Sequence, residues 1–167
     1  MPELQQLEAG QEAALLDFEL ANRAYFATMI NDRGDDYFDQ FTDQLRVMLD
    51  EQEAGAGIYY VLLAEDGSVM GRFNLFRVSD GTAELGYRVA QDVAGRGVAT
   101  AAVLEISRLA ADKHGLHTLR AATSHQNVAS QRVLIKAGFV LAGPADPAHI
   151  GGQPGSWYQL DLPTGRA

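Results

Sequence analysis

Hydrophobic spacing changes character twice along this chain. From residue 11 to about 52 the apolar positions recur every three or four residues. Leu15, Phe18, Tyr25, Phe26 and Met29 predict a helix over 11–30, interrupted at Asn22, where a polar side chain stands in the apolar stripe. Phe38, Phe41, Leu45 and Leu49 predict a second helix from 37 to about 52, its stripe turned toward a core. Between them, Asn31-Asp32-Arg33-Gly34-Asp35-Asp36 has the turn chemistry of a loop. Gly55-Ala56-Gly57 closes the second helix.

From Ile58 the period shortens. Residues 58–64 form a continuous apolar run with two tyrosines, a strand buried on at least one face. Strands over 69–78 and 82–89 follow, set apart by the turns Glu65-Asp66-Gly67 and Ser79-Asp80-Gly81. Three strands joined by short turns make an antiparallel meander. In the third strand Ala83, Leu85, Tyr87 and Val89 share one face, and Glu84, Gly86 and Arg88 the other. Helical spacing returns at Val98, Ala102, Ile106, Leu109 and Ala110, in a helix reaching about Lys113. A strand over 116–122 comes next, so this crossover makes it parallel to the third strand. A helix over 127–137 stopped by Gly138, a strand over 139–142, a Pro/Gly-rich loop over 143–155 and a last strand over 157–162 complete the pattern. The fold class is α/β (α+β mixed), a mixed sheet with helices, and one domain is expected over 1–167.

Composition narrows the function. The chain carries 22 Asp or Glu against 13 Lys or Arg, a formal net charge of −9. This argues against general nucleic-acid binding. It also means that an anionic ligand must be met by a local positive field, whereas a cationic one is drawn in by the whole molecule. Three carboxylates of the loop 31–36 (Asp32, Asp35, Asp36) stand beside the first helical pair and add to that attraction. No apolar run is long enough to predict a membrane span, and the first residues lack the basic-then-apolar order of a signal peptide, so a cytoplasmic protein is expected. Cysteine is absent, which removes acyl-cysteine chemistry. His114, His117, His125 and His149 lack metal-site spacing and read as surface or turn residues; no metal is expected.

The junction of the third strand and the next helix is the most informative stretch: Val89-Ala90-Gln91-Asp92-Val93-Ala94-Gly95-Arg96-Gly97-Val98-Ala99-Thr100. A strand, a Gly-rich turn and a helix start leave several backbone N–H groups unpaired at the positive end of a helix dipole. Such a turn holds a phosphate. Gly95 and Gly97 let the backbone approach closely, and Arg96 adds a fixed charge. Thr100 stands where a dinucleotide fingerprint needs its third glycine, and no G-K-[ST] follows, so neither a Rossmann turn nor a P-loop is present.

Leu85-Gly86-Tyr87-Arg88-Val89 followed by Ala94-Gly95-Arg96-Gly97-Val98-Ala99-Thr100 resembles the acetyl-CoA signature of the GNAT superfamily of N-acetyltransferases. Ser124-His125-Gln126-Asn127-Val128-Ala129-Ser130, then Lys136-Ala137-Gly138-Phe139, resembles the second signature of that family. The likeness spans about 58–139 and is similar to the branch of ribosomal-protein N-terminal (serine/alanine) acetyltransferases. Ala94 departs from it, standing where the family usually has Gln or Arg, so a backbone amide must serve there. The resemblance implies helices on both faces of the sheet, two central parallel strands that splay apart, and acetyl-CoA as cosubstrate with its pantetheine in the gap. It further implies cofactor contacts from Val89, Ala94, Gly95, Arg96, Gly97, Val98, Ala99, Thr100 and Asn127, with the Val89 N–H facing the oxyanion. Arg132 is a candidate for a phosphate contact.

Acetylation of an amine by a thioester needs a neutral amine, a stabilised oxyanion and a proton for the thiolate. Without cysteine, direct transfer in a ternary complex is left. Glu84 is the candidate base, acting directly or through water, on the strand entering the turn and opposite the aliphatic face. Ser130, three residues from Asn127 on one helix face, or a tyrosine elsewhere, is the candidate acid. Arg33, Tyr37 and Trp157 are candidate acceptor-binding residues, since the first helical pair and the last hairpin border the acceptor in the implied fold. The expected acceptor is a primary amine, a protein or peptide N-terminus or a small amine; an α-amine of reference pKa about 8 needs less deprotonation than a lysine of about 10.4. Oligomer formation is left open. The alternative function is a non-catalytic acyl-CoA-binding or sensor domain, with Glu84 merely solvated.

Overall fold

The computed structural model describes residues 2–163. The predicted meander forms and grows at both edges into one sheet. Its strands are β1 (Glu3–Gln6), β2 (Gly57–Leu63), β3 (Val69–Ser79), β4 (Thr82–Val89), β5 (Thr118–Ser124), β6 (Val140–Ala145) and β7 (Gly155–Asp161), in the order β1-β2-β3-β4-β5-β7-β6. Every neighbouring pair is antiparallel except β4 and β5, which the long crossover makes parallel. The helices are α1 (Glu12–Ala21), α2 (Arg23–Phe26), α3 (Asp35–Asp39), α4 (Phe41–Glu53), α5 (Val98–Asp112) and α6 (Val128–Lys136).

Alternation along the strands builds two cores, one on each face. Phe73, Leu75, Ala83, Leu85, Leu119 and Ala121 pack against Val103 and Ile106 of α5 and Leu134 of α6. Tyr59, Val61 and Phe76, on the reverse face, pack with Leu15 and Phe18 of α1 and Phe41 and Leu45 of α4. Tyr87 and Val89 of β4 therefore face α5 and α6, and Glu84, Gly86 and Arg88 face the α1–α4 side.

Four expectations change. The helix expected over 11–30 breaks at Asn22 into α1 and α2. The Asn22 side chain is spent on the tertiary structure: its Nδ2 donates to the Phe18 carbonyl at 2.9 Å, and its Oδ1 accepts from the Gln91 N–H at 2.9 Å, tying this joint to the loop after β4. The helix expected over 37–52 is two helices meeting at Gln40. β1 is an added edge strand, and the parallel strand begins at Thr118 rather than Leu116. Leu116 donates instead to the Ala110 carbonyl, closing α5, and His117 to the Gly81 carbonyl.

Candidate active site at the strand splay

β4 and β5 pair only at Thr82–Thr118, Ala83–Leu119 and Glu84–Arg120. Beyond Glu84 the two strands part, and a gap opens through the centre of the sheet toward the turn after β4. The Ala90 N–H donates to the Met70 carbonyl of β3 at 2.9 Å. Donors alternate in an antiparallel ladder, so the Val89 N–H points the other way, into the gap. Val89 thus presents a backbone donor where β5 no longer accepts one.

The turn that ends the gap has the conformation its glycines allow. Gly95 and Gly97 lie at φ 79° and 77°, the left-handed region that other residues enter at a cost. Gly97 is the N-cap of α5 and brings no side chain to its open N–H groups. A Cβ at either glycine would meet nothing within 4 Å, so both face open space. Ala94 precedes them in an extended conformation, but its N–H donates to the Gln91 carbonyl at 3.3 Å, so the expected phosphate contact from its amide is not available; Val98, Ala99 and Thr100 form the first helical turn. Arg96 is exposed and, among the described residues, has no ion-pair partner. The ring of open amides, the added cation and the absence of a competing side chain fit a diphosphate.

On the α5–α6 side of the gap, the Tyr87 hydroxyl lies 3.1 Å from Ser130 Oγ, and the Tyr87 ring stacks on Phe73 at 5.5 Å. Burial pushes the Tyr87 phenol up to about 12, against the weaker lowering by Ser130, so it keeps its proton at neutral pH. Ser130 sits in the first turn of α6, where its N–H donates to Asn127 Oδ1 at 3.1 Å. The Asn127 carbonyl oxygen is therefore engaged as the cap of α6, and any contact it makes elsewhere uses its Nδ2. Arg132 is exposed on the same helix.

Glu84 lies on the opposite face, its side chain 12% exposed. The Arg77 Nη1 is 3.3 Å from its Oε1, and the His149 Nε2 is 2.9 Å from its Oε2. A bulge in β3 aims the arginine. Phe76 already faces Glu84, so strict alternation would send Arg77 to the other side. The register slips between Phe76 and Ser79, Arg77 takes a φ of 50°, and its guanidinium turns back to the carboxylate. His149 arrives from a short 3-10 turn over Pro147–Ile150 and packs on Trp157 at 4.8 Å. The reading of His149 as a surface or turn residue is thus corrected: it is on a turn, but its ring closes over the candidate base. His125, by contrast, is exposed and bonds to Ser156.

The other acceptor-side candidates are divided. Trp157, in β7, lies beside this cluster. Tyr37 sits farther along the same face: its hydroxyl accepts from the Arg72 guanidinium at 3.2 Å, and Arg33 lies over its ring at 5.1 Å. Arg72 and Arg88 stand directly opposite each other on β3 and β4, and the fully buried Glu19 of α1 bonds both, at 2.8 and 3.0 Å. Two of the loop carboxylates are spent on the fold, since Arg23 bonds Asp32 and Asp35, each at 2.8 Å. Arg23 and the Gly34 N–H hold the Asp32 carboxyl down to about 2. The acidic attraction expected of that loop is accordingly reduced.

The acetyltransferase (GNAT) domain family matches residues 4–140. A probable N-acetyltransferase of Bacillus subtilis, YjcK, is 30% identical over 148 residues, which is 83% of this chain and 80% of that protein. Among solved structures, the ribosomal-protein-S5-alanine acetyltransferase of Vibrio fischeri superposes with a TM-score of 0.88 at 18% identity, covering 96% of this chain and 92% of that one. RimJ of Mycobacterium smegmatis, solved with a CoA disulfide, gives 0.85 at 20% identity over 96% of this chain and 81% of that one. Spermidine N-acetyltransferase of Vibrio cholerae, solved with CoA and spermine, gives 0.79 at 17% identity over 96% and 95%. With its splayed parallel strands and glycine turn matched by the family across most of its length, this chain belongs to the GNAT acetyltransferases.

Proposed function

We propose that this protein is an acetyl-CoA-dependent N-acetyltransferase that moves the acetyl group directly to a primary amine in a ternary complex. The observation that carries this reading is a carboxylate, Glu84, on one face of the gap and a hydroxyl pair, Tyr87–Ser130, on the other. Acetyl-CoA, when bound, supplies an activated thioester carbonyl. The amides of residues 95–100 would hold its diphosphate, helped by Arg96 and Arg132, with Asn127 alongside the chain of the cofactor. The Val89 N–H would donate to the carbonyl oxygen as that oxygen gains charge. Glu84, held by Arg77 and His149, would take the proton from the acceptor amine, directly or through water. Tyr87, protonated at neutral pH and supported by Ser130, would give a proton to the departing sulfur. Trp157 and, farther along the same face, Arg33 and Tyr37 would border the acceptor.

The relatives support an amine acceptor, since their names specify an alanine of a ribosomal protein and spermidine. We favour an α-amine, which the base deprotonates at lower cost than a lysine. The test is competition between peptides with free N-termini and lysine-bearing peptides blocked at the N-terminus, followed by mass spectrometry. Acetylation of the free N-termini is expected. Acetylation of only the blocked peptides overturns the α-amine preference, and activity confined to small amines moves the assignment to metabolite modification.

A further inference from the structure

Arg120 is a half-buried cation on the acceptor face, and among the described residues it has no ion-pair partner. It stands on β5 directly beside Glu84, at the vertex of the splay. Leu119 and Ala121 point into the α5–α6 core, so Arg120 points to the side of Glu84, Arg77 and His149. Glu84 makes its contacts with Arg77 and His149 and forms no hydrogen bond or ion pair with Arg120. Among the described residues Arg120 makes no ion pair, and its Nε is buried without a hydrogen-bond partner. Its guanidinium carbon lies over the Trp157 ring, 4.4 Å from the centroid, and the same ring packs against His149 at 4.8 Å. The contact with the indole holds the guanidinium in place and leaves N–H groups able to bond a ligand.

A buried donor without a partner is costly, and an acceptor supplied by a ligand would remove that cost. The local charge agrees: two guanidiniums, Arg77 and Arg120, flank one carboxylate, so the pocket has room for one more negative charge in a molecule of net charge −9. The phosphates of the cofactor are poor candidates for that charge. The glycine turn begins beyond Val89, about 16 Å along β4 from Glu84 at strand rise, and α5 rises on the opposite face of the sheet.

Resting on the reading of the site as an amine acetyltransferase, we propose that Arg120, stacked on Trp157, is a carboxylate-binding subsite. The acceptor it selects carries a carboxylate close to its primary amine. A bidentate guanidinium–carboxylate pair would hold that group while Glu84, the neighbouring residue on β4, meets the amine. The carboxylate has two sources: the α-carboxylate of a free amino acid, or the side chain of an N-terminal Asp or Glu in a peptide.

The experiment compares isosteric acceptor pairs under saturating acetyl-CoA. One arm sets free amino acids against their α-amides; the other sets peptides beginning with Asp or Glu against the same peptides beginning with Asn or Gln. The wild-type protein is expected to favour the carboxylate member in one arm by about ten- to a hundred-fold in kcat/KM, as a charge-assisted hydrogen bond warrants, and that arm identifies the source. Arg120→Gln should bring the ratio near one, chiefly through KM. Arg120→Lys, with the charge but neither fork nor stack, should keep part of it. Equal kcat/KM within both wild-type pairs overturns the carboxylate assignment and leaves acetyl transfer standing, as does an unchanged ratio in Arg120→Gln. Absence of transfer to every amine tried overturns both readings.

Discussion

At the scale of single residues, Tyr87 joins packing to chemistry. Its ring is part of the α5–α6 core, and its hydroxyl is the one that reaches Ser130. With the phenol pushed up to about 12, Tyr87 keeps its proton through the whole neutral and mildly alkaline range, as its proposed role toward a leaving thiolate requires. Tyr87→Phe is therefore expected to lower kcat by about 10²-fold, in line with a lost general acid, without changing acetyl-CoA affinity. Ionisation of Tyr87 must not contribute an alkaline limb near 10. A kcat profile that falls near an ordinary phenol value, and loses that fall in Tyr87→Phe, would place the tyrosine in water and remove it from this role. Glu84→Gln is expected to reduce kcat by a similar factor, about 10²-fold, most severely at low pH, where deprotonating the amine limits the rate. A variant that keeps full turnover across pH excludes Glu84 as the base. Glu84 stood out in the sequence because alternation sets it opposite the aliphatic face of its strand. The partners that hold it did not. His149 lies 65 residues away on a loop, and Arg77 faces Glu84 only because a bulge reverses its side chain. Neither fact leaves a periodic trace. Tyr87 was legible as a core position but not as a partner of Ser130, since that contact depends on where α6 lands.

Secondary-structure elements carry the next level. The strand–turn–helix unit from β4 to α5 follows local rules throughout: alternation in β4, two glycines in the left-handed region, and a helical stripe in α5. This is why its position could be read from the sequence within a residue at either end. The helices before the sheet could not be read so closely. Asn22 breaks the first one because its amide is worth more to the loop at Gln91 than to a helical stripe. Glu19, between two apolar neighbours in α1, is wholly buried because Arg72 and Arg88 of distant strands converge on it. β1 is four residues of mixed polarity at a sheet edge, too short for a pattern. The glycine turn also gives the element-scale prediction. Gly97→Glu places an acid in the expected diphosphate site and a side chain at a φ of 77°. Calorimetry should show acetyl-CoA binding weakened by about tenfold or more, that is by at least about 1.4 kcal/mol. Gly97→Ala, which brings the strain without the charge, should lose less. Unchanged affinity in Gly97→Glu places the cofactor elsewhere.

For the whole molecule, the proposed reading gives each face of the sheet its own task. One face, under α5 and α6, offers the glycine turn and the hydroxyl pair; the other, under α1–α4 and the loop before β7, offers Glu84, Arg120 and Trp157. The gap beyond Glu84 and Arg120 connects them. An amine and a thioester held on opposite sides of such a gap can react without either leaving, and the chain contains no cysteine to carry the acetyl group in between. The central claim is thus direct transfer between two substrates bound together. The measurement that addresses it is the initial-velocity pattern of acetyl transfer to a free-N-terminus peptide, with acetyl-CoA and acceptor varied against each other. Intersecting double-reciprocal lines, with one acetyl group gained per acceptor amine, are the predicted result. Parallel lines would reveal an acetylated enzyme, and acetyl-CoA binding without transfer to any amine would leave a binding domain in place of an enzyme.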